Sequence, residues 1–138
     1  MSDSIIIFIR SNNIPEIDLL REALKNDGLE LESWDESSIK DIEGFWPGRY
    51  KGKEAGFEFM LDEVDDEDLD DWGIEKEQLD GRDFMLDLAF YTELDVVASA
   101  LCAAYFCKTC DGITFDDDEE LTINAQNCDE WLVNYIIN

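Results

Sequence analysis

Histidine is absent from this chain of 138 residues, which contains only ten basic residues and 36 acidic ones. Histidine is the commonest general base and the usual partner of catalytic serine and cysteine, so its absence removes those mechanisms and most zinc sites. A glycine-rich phosphate-binding loop is also missing from the sequence. We therefore expect a protein that is not an enzyme and that needs neither a metal nor a cofactor.

The shortage of bases leaves a formal net charge of -26 at pH 7. Such a charge repels nucleic acid and anionic membranes, attracts basic proteins, and speeds their approach by roughly 10 to 1000 fold at low salt. Solubility, or an organism with an acidic proteome, is the simpler explanation of the same charge. Because 45% of the residues are hydrophobic, the chain is not a disordered acidic tail. The composition predicts a folded protein that binds a basic protein, with no nucleic acid and no membrane as partner.

Targeting signals are also lacking. The apolar run at residues 5–9 is too short for a signal peptide and has neither a basic flank nor a cleavage site. Four cysteines, three of them in or beside one apolar segment, suit a reducing compartment better than a disulfide framework. The sequence therefore predicts a cytoplasmic protein.

Residues 92–110 form the longest apolar segment, and they predict a central helix. The apolar side chains lie around the whole helical circumference, which is typical of a helix covered on most sides. Thr92 and Asp95 have the spacing of a capping box, and Asp111 with Gly112 predicts the end, with Gly112 in the left-handed conformation.

The other elements follow from periodicity and capping patterns. Asn13, with Pro15 in the first turn and Glu16 completing a capping box, predicts an N-terminal helix, and Asn127 with Glu130 predicts a C-terminal one. Strands are predicted at residues 4–10, 29–32, 55–61, 84–91 and 113–115, with a loop region between the second and the third. The pattern predicts one α+β domain, residues 1–138, with a mostly antiparallel or mixed sheet packed against the central helix.

Two acidic segments and several aromatic residues are the candidate binding site. Residues 58–71 contain nine carboxylates and are predicted to form a loop, and residues 116–120 are all acidic. Trp34, Phe45, Trp46 and Trp72 lie in segments predicted as loops, where aromatic side chains anchor interfaces within polar rims, although each could instead cover an edge of the core. The predicted partner-binding residues are Asp62, Glu63, Asp65, Asp66, Glu67, Asp68, Asp70, Asp71, Trp72, Trp46, Asp116, Asp117, Asp118, Glu119 and Glu120.

Cysteine chemistry is an alternative. Cys107 and Cys110 have the spacing of a redox motif, and Cys102 and Cys128 could complete a four-thiolate zinc site. However, the pair lies at the C-terminal end of the predicted helix, where the dipole disfavours thiolate. We expect these thiols to serve packing.

Calcium binding is a second alternative. Asp66, Asp68, Asp70 and Glu77 occupy positions 1, 3, 5 and 12 of a calcium loop. Asp71 stands where that loop needs a glycine, so the sequence predicts only weak, unspecific binding of divalent cations.

The outline resembles the small acidic immunity proteins of bacterial polymorphic-toxin and contact-dependent inhibition systems. The similar pieces are residues 5–9 (IIIFI), residues 56–59 (GFEF), and the alanine-rich helix that runs into residues 111–116 (DGITFD). The resemblance implies a non-enzymatic cytoplasmic protein that binds one cognate toxin domain and blocks its active site. Together with the acidic charge, it predicts that the toxin is basic, as a nuclease or another nucleic-acid-directed enzyme is. A DNA mimic that sequesters a nucleic-acid-binding protein is the alternative, and a metal or redox protein using Cys107 and Cys110 is a third.

Overall fold

A computed structural model describes residues 4–33, 39–116 and 121–135 of the chain. Its strands are β1 (Ser4–Ile9), β2 (Leu29–Leu31), β3 (Glu43–Tyr50), β4 (Lys53–Glu63), β5 (Phe84–Ala89), β6 (Ile113–Asp116) and β7 (Leu121–Ile123). Its helices are α1 (Ile17–Asn26), α2 (Asp66–Trp72), α3 (Glu93–Thr109) and α4 (Cys128–Val133), with short 3-10 turns at Ser11–Asn13, Ile39–Asp41 and Lys76–Leu79.

The seven described strands form one sheet in the order β2-β3-β4-β5-β1-β6-β7, and every neighbouring pair is antiparallel. The first strand of the sequence therefore lies inside the sheet, between β5 and β6. The prediction of an α+β fold with an antiparallel sheet and one central helix is confirmed. The strands predicted at residues 4–10, 29–32, 55–61, 84–91 and 113–115 correspond to β1, β2, β4, β5 and β6.

The main core lies between α3 and one face of the sheet, which we call the inner face. Ile7 and Ile9 of β1 and Phe57 and Phe59 of β4 are fully buried there. Eleven residues of α3 are buried, as expected for a helix that is apolar around its circumference. Residues of α1 and α4 belong to the same core cluster, so the N- and C-terminal helices pack beside α3.

The start of α3 is as predicted, but its end is not. The Thr92 hydroxyl accepts the N–H of Asp95 at 3.1 Å, and the Asp95 carboxylate accepts the N–H of Thr92 at 3.3 Å. At the other end, Asp111 and not Gly112 takes the left-handed conformation, with φ of 55°. Gly112 is needed for a different reason, because a Cβ there would lie 2.9 Å from the Cγ2 atoms of both Ile7 and Ile9.

Two predicted capping boxes are wrong. The N-cap of α1 is Glu16, and Asn13 lies in a 3-10 turn, because Ile14 is extended before Pro15 and the helix cannot begin earlier. At α4 Asn127 occupies the N-cap position without capping it. Its side chain instead accepts the N–H of Asn124 at 2.7 Å and donates to the carbonyl of Thr122 at 2.9 Å.

The region predicted as a loop before β4 contains strand β3. Tyr50 pairs with Lys53 across a two-residue turn, in which Lys51 and Gly52 both have positive φ, the conformation that two-residue hairpin turns favour. The proline and glycines of β3 hide its strand character in the sequence. Gly48 is required because a Cβ there would lie 2.6 Å from the carbonyl oxygen of Glu30 on β2.

Candidate protein-binding surface

The first acidic segment is not a loop. Strand β4 extends to Glu63, and α2 begins at Asp66. Asp65 caps this helix by accepting the N–H of Glu67 at 2.9 Å. Gly73 ends it with φ of 69°, and the N–H of Ile74 donates back to the carbonyl of Leu69 at 2.9 Å. An N-cap aspartate, acids in the first turn and a terminal glycine are helix signals, so this element could have been predicted.

The carboxylates of this segment form the acidic surface: Asp62, Glu63, Asp65, Asp66, Glu67, Asp68, Asp70 and Asp71. Apart from the half-buried Asp68, all of these residues are exposed. Among the described residues, one ion pair involves them, and it joins Asp66 Oδ1 to Lys76 Nζ at 3.5 Å, with both side chains at least 75% exposed. Such a pair contributes roughly 0 to 1 kcal/mol. The last turn of α2 has no basic residue, so Asp70 and Asp71 oppose the helix dipole. These charges are therefore largely uncompensated.

One apolar side chain attaches α2 to the outer face of the sheet. Leu69 is 3% exposed and packs in a second cluster with Phe8, Leu79 and Ile113. Trp72 meets the ring of Phe8 edge-on at 6.4 Å between centroids and remains 41% exposed. The structure thus brings the predicted anchor Trp72 together with the acidic surface.

The return of the chain from α2 is fixed by Arg82, whose side chain is 8% exposed. Its guanidinium donates to the carbonyls of Leu79 at 3.0 Å and Asp111 at 2.9 Å, and its Nη2 pairs with the Asp111 carboxylate at 3.3 Å. Arg10 contacts the other oxygen of that carboxylate at 2.6 Å. Two of the few basic residues therefore hold the acidic segment against the end of α3.

The prediction that Trp46 is an interface anchor is wrong. Trp46 is fully buried, its Nε1 donates to the Glu32 carbonyl at 2.8 Å, and its ring packs on Phe57 and Phe59 at 6.2 and 5.5 Å. The pleat of β3 turns Trp46 inward and its neighbour Phe45 outward. Phe45 is 45% exposed and lies in a strand rather than in a loop.

Of the second acidic segment, residues 116–120, the structure describes only the first residue. Asp116 is the last residue of β6. Asp117, Asp118, Glu119 and Glu120 lie outside the described residues, and so does Trp34.

Within the part of the chain that the structure describes, the outer face also has an uncovered area that the sequence did not indicate, which we call the open sheet face. It consists of Phe45, Glu58, Met60, Asp87, Ala89 and Tyr91. Helix α2 and the turn after it cover the end of the sheet near Phe8 and Ile113. In the open sheet face, Asp87 and Ala89 are half-buried and the other four residues are exposed. Alternation in β4 and β5 shows that these side chains share a face, but the sequence does not show what covers it.

The geometry contradicts a calcium loop. Asp66, Asp68 and Asp70 lie on α2, where residues two apart point in directions about 200° apart, so the three carboxylates cannot surround one ion. In the described parts of the chain, no three acidic or cysteine side chains are grouped so that they could hold a metal ion.

The four cysteines are buried and free. Burial raises the pKa of Cys107 to about 12 and that of Cys110 to about 11, and it raises the pKa of Cys102 well above its ordinary value. Reactive thiols need a lowered pKa, so the packing interpretation is favoured over a redox pair.

Comparisons of the chain with protein-family models, with curated proteins and with solved structures find no match. Among the residues that the structure describes, no helix is both long enough and apolar enough to cross a membrane.

Proposed function

We propose that this protein is a non-enzymatic immunity protein that binds and neutralises a cognate basic toxin domain in the cytoplasm. The observation that carries the proposal is the acidic surface, where exposed carboxylates cluster around α2 and form one weak ion pair with the described part of the chain. Acids present only for solubility need not be concentrated on one short helix, nor placed at the helix end where they oppose the dipole.

In the proposed mechanism, the carboxylates of the acidic surface occupy the cations with which the toxin binds phosphate. A nuclease or another nucleic-acid-directed enzyme presents such cations in its substrate site. A pair of opposite charges 4 Å apart is worth about 1 kcal/mol in water and about 4 kcal/mol near a protein surface. Several pairs formed together, around the exposed part of Trp72, block the site and speed the encounter.

The edges of the sheet are poor alternatives as binding sites. On β2 the carbonyl of Leu31 accepts hydrogen bonds from Arg21 at 3.1 and 3.3 Å. On β7 the carbonyl of Thr122 accepts the side-chain amide of Asn127. Side chains that occupy edge carbonyls hinder the addition of another strand, which favours a surface-to-surface complex.

The test is capture of a basic partner from the source cell by the tagged chain, followed by an activity assay of that partner. An equimolar amount of the chain should abolish the partner's nuclease or related activity. Asp66, Asp68 and Asp70 are then changed together to asparagine, which keeps the size of each side chain and leaves the Asp65 cap. A matched control changes Glu22, Glu30 and Glu130, which are exposed on α1, β2 and α4, to glutamine.

We expect the α2 variant to bind at least about tenfold more weakly and the control variant to bind as the wild type does. Equal loss in both variants would mean that only total charge matters. Capture of many unrelated basic proteins, without inhibition of any one activity, would favour a DNA mimic. Turnover of a small substrate by the purified chain would end the proposal.

A further inference from the structure

The open sheet face combines apolar side chains with carboxylates on three adjacent strands. In one row across the sheet, Phe45 pairs with Glu58, and Glu58 pairs with Ala89. In the next row, Met60 lies between Glu43 and Asp87. Phe45, Met60 and Tyr91 are 45%, 46% and 67% exposed. Large exposed apolar side chains that are rimmed by polar groups are typical of a protein interface.

Neighbouring groups hold two of these side chains in position. The Phe45 ring lies over Gly56, where an added Cβ would be 3.0 Å from the ring's Cζ. The hydroxyl of Tyr91 donates to Glu58 Oε1 at 2.5 Å. Side chains that are fixed before binding lose less conformational entropy in a complex, so this face is prepared for contact.

The two carboxylates of this face, Glu58 and Asp87, differ in exposure, because Glu58 is exposed and Asp87 is half-buried. Glu58 and Asp87 lie diagonally on adjacent strands and repel each other. The Oδ1 atom of Asp87 is buried and has no hydrogen-bond partner among the described residues. Burial, the larger cause, and the charge of Glu58 raise the pKa of Asp87, while a hydrogen bond from Ser4 lowers it. Basic side chains are absent from the strand positions of these two rows, all of which the structure describes.

We propose that the open sheet face binds an arginine-bearing apolar segment of the basic protein partner, with the guanidinium on the exposed carboxylate of Glu58 and apolar side chains on Phe45 and Met60. The inference rests on the proposed function and names a second contact surface within it. Arginine fits better than lysine because its planar, weakly hydrated head stacks on aromatic rings and pairs with a carboxylate through two hydrogen bonds. A second copy of the chain is a poor occupant, since it would bring carboxylates against carboxylates at a net charge of -26 per chain.

The experiment uses the isotope-labelled full chain and two synthetic peptides. One peptide alternates arginine with leucine, and the other has the same arginines with serine in place of leucine. We expect the leucine peptide to shift the amide signals of Phe45, Met60, Ala89 and Tyr91. The serine peptide should bind more weakly, and its effects should be concentrated on α2.

Three variants separate the surfaces. Met60→Ser and Glu58→Gln should each lower the affinity for the leucine peptide by about tenfold. Neither change removes a buried group. Leu19→Ser is the matched control, because Leu19 is an exposed apolar residue of α1, at 57%, and its loss should leave binding unchanged.

The outcomes distinguish this inference from the proposed function. Two results would overturn the binding role of the open sheet face and leave that of the acidic surface intact. They are binding of the leucine peptide with signal shifts only on α2, and an affinity that Met60→Ser does not change. Failure of both peptides to bind at low salt would remove the proposed function as well. A dimer in sedimentation that Met60→Ser dissociates would show that a second copy occupies the face, and would also overturn the inference.

Discussion

Arg82 should hold the acidic surface in place, and replacing it with methionine tests this. Methionine keeps an apolar stem of similar length and removes the guanidinium. Two hydrogen bonds from the charged group to the carbonyls of Leu79 and Asp111 are lost, at about 1.5 kcal/mol each. The ion pair with Asp111, whose side chain is 59% exposed, adds at most about 1 kcal/mol. Since methionine avoids the cost of burying a charge, we expect the free energy of unfolding to fall by about 2 to 3 kcal/mol in total.

Urea denaturation measures the loss, and hydrogen exchange locates it. Exchange should accelerate in α2 and in the turn at Lys76–Leu79 well before it does in α3, because Arg82 joins that segment to the rest of the fold. Arg10→Met is the control. Arg10 is more exposed and its contacts lie at the surface, so this change should cost about 1 kcal/mol or less. A loss below about 0.5 kcal/mol for Arg82→Met, or faster exchange spread evenly over the chain, would refute the reasoning.

Three further predictions follow from buried groups. Asp95→Ala removes the acceptor for the N–H groups of Gly56, Tyr91 and Thr92 and should cost about 2 to 3 kcal/mol in urea denaturation, whereas Asp95→Asn should cost less. The pKa of Asp87 is raised in the folded protein, so this group favours folding below the ordinary pKa of an aspartate, and that contribution is lost as pH rises through the folded-state pKa. Asp87→Asn should therefore raise stability relative to wild type more near pH 7 than at about pH 3, and an equal effect at both pH values would contradict the shift. The thiol of Cys107 should react with a disulfide reagent only as fast as the protein unfolds, and rapid labelling under native conditions would contradict its burial.

The central helix could be predicted because its signals are local. The apolar circumference of α3 and the pairing of Thr92 with Asp95 both follow from one continuous stretch of sequence. No distant contact is needed to interpret them. Strand β3 was missed because its strand character comes from pairing with β4. Pro47 and Gly48 are typical loop residues in isolation, yet the neighbouring strand β2 leaves no space for a Cβ at Gly48.

The candidate site was predicted in composition but not in shape. Helix α2 was missed because its acids hide the single buried side chain, Leu69, and give no apolar periodicity. The open sheet face could not be predicted, because the alternation of β4 and β5 indicates two faces without showing which one remains uncovered. Trp46 was assigned to a loop, and the inward pleat of β3 buries it.

The association rate of the captured basic partner, measured by stopped flow across a range of ionic strength, tests the central claim most directly. The account predicts a rate that falls steeply as salt increases. The salt dependence should be shallower when Asp66, Asp68 and Asp70 are changed to asparagine. In the control variant, with Glu22, Glu30 and Glu130 changed to glutamine, the salt dependence should equal that of the wild type. A rate that is independent of salt, or a slope that the α2 variant leaves unaltered, would contradict capture of the partner by the acidic surface.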